Sequence, residues 1–138
     1  MEQPHYTFEE LLDALRAALS GTVLSLMEYL KNVGLYTGDE DELAHDLTQK
    51  IMQILEVNQE LLHETLVKVA WPDEMVRRDM LGIALSAPIA EIIEVHSSHI
   101  KADKTYATTK LTDFISIALV ENYHLQNTAL YYFANIGN

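Results

Sequence analysis

Along most of the chain apolar residues return every three or four positions, the period of a helix packed on one side, and few stretches alternate as a strand would. The first stripe, Leu11, Leu15, Leu19, Leu26, Leu30 and Val33, predicts a helix from Phe8 to Val33. Thr7 and Glu10 stand at the spacing of a capping box, and Gly34 is placed to stop the helix in the left-handed conformation glycine adopts cheaply. Gly21 interrupts the stripe; with Ala14, Ala18 and Ser25 it forms a small-residue strip where a neighbouring backbone is expected to come close. A second stripe, Leu43, Leu47, Ile51, Ile54, Leu61, Leu62 and Val69, predicts one long helix with a bend near Asn58, ended at Trp71-Pro72 by WPDE, which also caps the next helix.

The third segment changes phase. Val76, Met80, Ile83 and Ala87 mark one side, and at about 100° per residue Ile89, Ile92, Ile93, His96 and Ile100 fall nearly opposite. Pro88 sits at the switch, so this segment is expected to be broken or kinked there. KADKTYATT connects to a last helix from Thr108 to Ala134. Its only charges are Lys110, Asp113 and Glu121, and apolar residues go most of the way round it, as on a helix that is central or covered by another subunit. The expected architecture is all-α: an up-and-down four-helix-type bundle, residues 1–138 forming one helical domain.

Charge narrows the partners. Twenty-one acidic against 9 basic side chains give a formal charge of −12, which repels phosphate backbones and anionic membrane surfaces and suits a basic protein partner. With no cysteine there is no disulfide, thiolate metal site or thiol nucleophile, and no stretch is apolar for the roughly 18 residues a membrane span needs. A cytoplasmic protein is the expectation.

Few motifs carry chemistry. Asp39, Glu40, Asp41 and Glu42 crowd a helix start, where carboxylates meet the positive end of the dipole. They do not make a calcium loop, because Leu43 and Ala44 stand where a ligand and a glycine are required. Glu60-x-x-His63 and Glu121-x-x-His124 repeat one spacing on the second and fourth segments. In that spacing the chain resembles the ferritin-like di-iron proteins, and the resemblance implies Glu60, His63, Glu121 and His124 as iron ligands in an oxidase or iron-binding bundle. Glu28 and Glu91 or Glu94 are nearest to the lone glutamates of that pattern. Helical phase points the other way: Glu60 lies opposite the stripe of Leu43, Leu47, Ile54 and Leu61, and His124 lies away from that of Leu111, Ile115, Ala118 and Ala129. His96, three residues before His99, falls inside the isoleucine stripe and reads as a core histidine with a hydrogen-bond partner. No phosphate loop, HExxH or G-x-S-x-G occurs.

The function expected from the sequence is that of a non-enzymatic, acidic protein-binding module, inhibitor-like or adaptor-like, without cofactor or metal. Asp39, Glu40, Asp41 and Glu42 would face the partner. Tyr131 and Tyr132, adjacent and therefore pointing apart, would meet a second copy in a homodimer. The alternative is the di-iron bundle.

Overall fold

The computed structural model describes residues 4–67 and 73–136; the expected stop at Trp71-Pro72, and Val69, lie outside them. The described residues are all helical, with six α-helices: α1 (Phe8–Asn32), α2 (Glu40–Leu55), α3 (Gln59–Leu66), α4 (Glu74–Val95), α5 (Lys104–Glu121) and α6 (Tyr123–Ile136). A short 3-10 turn, Ser97–His99, follows α4.

The first helix follows its local signals. Thr7 Oγ1 accepts from the Glu10 amide at 3.1 Å, the Glu10 carboxylate accepts from the Thr7 amide at 3.1 Å, and Gly34 takes φ +78° after the helix end. At the start of α2, Asp39 is the cap, its carboxylate accepting from the amides of Asp41 and Glu42, so the acidic cluster serves the helix as its position suggests.

Four expectations need correction. The second segment is two helices, because Asn58 turns the chain and its side-chain oxygen accepts from the Leu61 amide at 3.1 Å to start α3. The third segment is not divided: α4 runs through Pro88, and its buried side is one continuous row of Arg77, Leu81, Leu85, Pro88, Ile89 and Ile93. The apparent change of side disappears because Leu81 and Leu85 stand four apart in line with Ile89 and Ile93, and Arg77 extends the same row. Arg77 is 1% exposed, whereas Ile83, taken for the apolar side, is 79% exposed. Pro88 removes one backbone donor, and its ring lies on the packed side between Leu85 and Ile89, where burial offsets part of that loss. The last segment also divides. Asn122 is extended (ψ 107°) and its side chain accepts from the Leu125 amide at 2.9 Å, so α5 ends at Glu121 and α6 starts afresh. Because Asp103 caps the Tyr106 amide at 3.0 Å, α5 begins at Lys104, earlier than the apolar pattern suggested.

Packing follows from these breaks. α1 lies against α2, α2 against α4, and α4 along α5, while α6 packs on α1 and α3. The strip around Gly21 makes no close approach: a Cβ there would meet nothing within 4 Å. Gly82 of α4 faces α5, where a Cβ would make ordinary contact at 3.7 Å with both Ser116 Oγ and Thr112 Cγ2. Leu15, Leu19, Leu47, Ile51, Leu85, Ile89, Ile115 and Leu119 fill one core between the long helices.

Candidate functional site

The E-x-x-H pairs do not converge. Glu60 and His63 are exposed on α3, with the His63 ring 4.8 Å from that of Phe133. Glu121 closes α5 and His124 stands in the first turn of α6; with Asn122 extended between them they do not share a helical face, and both are exposed. Glu28 is exposed, Glu91 pairs with Lys50 at 3.1 Å and Glu94 with Lys104 at 2.8 Å. Among the described residues no three carboxylate, imidazole or thiol groups are gathered as a metal site. His96 is a core histidine, 6% exposed, its Nε2 2.7 Å from Asp46 Oδ2, and this contact ties the end of α4 to α2. Arg77 sends Nη1 to the Thr65 carbonyl at 3.4 Å, in the last turn of α3, where a cation suits the negative end of the dipole.

The two tyrosines proposed for a partner surface have unequal surroundings. Tyr132 is 7% exposed, packs on Phe8 with ring centroids 5.7 Å apart, and its hydroxyl lies 3.2 Å from Gln59 Oε1. Tyr131 is half-buried with its ring 6.5 Å from that of Tyr6. The aromatic end of α6 thus packs within its own chain. Among the acidic residues, Asp39, Asp41 and Glu42 are exposed, and Glu40 is half-buried beside Lys31 at 3.1 Å.

A concavity of a different kind lies elsewhere, between α1 and α5. It is an apolar cleft of about 650 Å³. Leu26, Leu43, Ile93 and Leu111, all core residues, make its floor. Tyr29 on one rim and Tyr106 and Phe114 on the other are more than half exposed (57%, 54% and 56%). One end is closed by Leu35 and Tyr36, which are held to the segment after the 3-10 turn: Thr37 N–H donates to the His99 carbonyl at 2.9 Å and Lys101 N–H to that of Leu35 at 2.8 Å, around a bridge of Tyr36 with Ile100. The Tyr36 hydroxyl donates to the Asp39 carbonyl at 3.1 Å. Burial, and then the carboxylates of Glu42, Asp39 and Asp46, push its phenol above the ordinary 10.0. Gly38 completes this end, since a Cβ there would stand 2.5 Å from the Tyr36 hydroxyl oxygen.

Tyr132 of α6 packs on Phe8 at the start of α1, while the cleft lies along residues 22–30 of the same helix. A sequence signal was present on α5: Tyr106, Lys110, Phe114 and Ala118 are four apart and share one face. In shape and lining the site fits a binding pocket, being concave and apolar and within the roughly 300–1,000 Å³ of ligand sites. Compared with protein-family models, curated proteins and solved structures, the chain has no significant match in any of the three. Among the described residues no helix is long and apolar enough to cross a membrane.

Proposed function

We propose that the chain is a non-enzymatic binding module whose working surface is the cleft between α1 and α5. Its frame is read as four antiparallel arms, formed by α1, α2 with α3, α4, and α5 with α6. The observation that carries the proposal is the floor of large apolar side chains at the base of an open cleft flanked by exposed aromatic residues. Apolar surface left accessible in this way is worth about 25 cal/mol per Å² to whatever covers it. Catalysis has no support from the side chains there, because among the described residues of the lining Lys110 is the only charged one, and the carboxylates near Tyr36 stand outside the lining.

The test is uptake of a neutral environment-sensitive dye such as Nile red. Saturable binding at one site, abolished when Ala107→Trp fills the cleft without lowering the melting temperature, is expected. Binding that survives Ala107→Trp, or no binding, would overturn the proposal.

A second reading keeps an inhibitor-like or adaptor-like role toward a basic protein. It is favoured by the carboxylates of Asp39, Glu42 and Asp46 around Tyr36 at the closed end of the cleft. A partner helix could place apolar residues in the cleft and basic ones beside these groups. Displacement of the dye by a basic amphipathic peptide, but not by its acidic counterpart, is the outcome that would favour it.

A further inference from the structure

We infer that the cleft takes a single-chain amphiphile with an anionic head, an acyl carboxylate or an alkyl phosphate, its chain on the apolar floor and its head at Lys110. The inference rests on the proposed use of the cleft and adds the chemistry of its occupant. Three observations support it.

The first is the distribution of charge. In a chain with 21 acidic side chains, no carboxylate lines the cleft, and the one charge that does is a cation. The second is that this cation is uncommitted. Lys31, Lys50 and Lys104 each pair with a glutamate, whereas among the described residues Lys110 forms no ion pair and its Nζ stands 5.5 Å from the centre of the Tyr106 ring. An ammonium held over an aromatic face keeps its hydrogen-bonding directions for an incoming oxyanion. The third is shape. From Tyr106 to Ala118 the α5 wall runs about 18 Å, twelve residues at 1.5 Å each. Lys110 lies along this wall, so a head bound there leaves length for a chain beside Leu26, Leu111 and Phe114. The overall charge of −12 opposes any anion, so the local cation decides whether the head is tolerated.

The experiment uses the whole chain and soluble ten-carbon probes below their micelle concentrations: decanoate, decyl phosphate, decanol and decyltrimethylammonium. Affinities are measured by calorimetry for the natural sequence and for Lys110→Met, Lys110→Arg and Ala107→Trp. Lys110 is exposed, so its variants are expected to fold. Lys110→Met is expected to weaken at least one anionic probe about fivefold, as for a partly solvated charge contact, while leaving decanol unchanged, and Lys110→Arg is expected to restore the affinity. Whichever of decanoate and decyl phosphate shows the larger loss identifies the head. If Lys110→Met leaves both anions unaffected, or weakens decanol equally, the head-group assignment is wrong while the cleft stands. Failure of decanol itself to bind, or its binding unchanged by Ala107→Trp, removes the cleft and this inference together. Tighter binding of the ammonium probe than of either anion also overturns the inference.

Discussion

Arg77 is a buried guanidinium with one weak hydrogen bond, and replacing it discriminates between its volume and its charge. The side chain is 1% exposed, its Nη1 reaches the Thr65 carbonyl at 3.4 Å, and its Nε finds no acceptor among the described residues. Among the described residues no carboxylate pairs with it. Burying an ion costs several kcal/mol even after relaxation, and one long hydrogen bond returns about 1 kcal/mol or less. Arg77→Met keeps most of the packing and removes the desolvation penalty, so its effect is expected between zero and about 2 kcal/mol of added stability. Arg77→Ala removes the packing too and is expected to cost about 3 kcal/mol through the cavity it leaves. Against a domain stability of about 5–15 kcal/mol the difference is readily measured by urea denaturation followed by circular dichroism. At roughly 3–5 °C per kcal/mol, thermal melting should separate the two variants by about 10 °C or more. A loss above about 2 kcal/mol in Arg77→Met, equal to that in Arg77→Ala, would refute the reasoning and show that the charge itself is held by a group unaccounted for.

Other expected outcomes follow from single contacts. Asn58→Ala and Asn122→Ala each remove a helix cap and should cost about 1 kcal/mol in denaturant titrations, with Asn→Asp nearly neutral at pH 7; no loss in either would mean that tertiary packing alone makes those breaks. The Tyr36 phenol, raised above 10.0 by burial and nearby carboxylates, favours the native state while protonated, so its contribution is full below pH 10.0 and is lost as pH rises through the native value. Phenolate absorbance should therefore show a late-titrating phenol that is lost in Tyr36→Phe; an unchanged titration in that variant would contradict the burial. Tyr132→Ala should cost about 3–5 kcal/mol and Tyr131→Ala about 1 kcal/mol or less, since only the first is a core residue; equal losses would mean that the end of α6 packs otherwise.

What was legible in the sequence divides along physical lines. Local chemistry read correctly: the Thr7 and Glu10 capping box, Gly34 past the helix end, Asp39 as a cap, and His96 as a partnered core residue. These depend on neighbours within a few residues or on one clear apolar stripe. The Asn58 and Asn122 breaks were less visible because apolar residues continue on both sides of each, and a capping side chain acts without a proline or glycine to announce it. The false break at Pro88 has a different origin. Val76, Met80 and Ile83 suggest one apolar side, but Leu81 and Leu85 carry the row of Ile89 and Ile93 through the proline, and Ile83 is exposed. The aromatic residues at the end of α6 suggested a second copy because a continuous helix cannot point them all into one core. Once α6 is separate, Tyr6, Phe8 and His63 meet them within the chain. The cleft was the least legible feature, since it depends on where α5 stands relative to α1.

Whether the cleft between α1 and α5 is the binding surface is tested most directly by amide chemical shifts on titration with decanol. Perturbations are expected along residues 22–30 of α1 and 106–118 of α5, with Leu35 and Tyr36, and little change near Arg77 or Tyr131. Perturbations centred on Tyr6 and Tyr131, or spread without saturation over the whole chain, would contradict that use of the cleft.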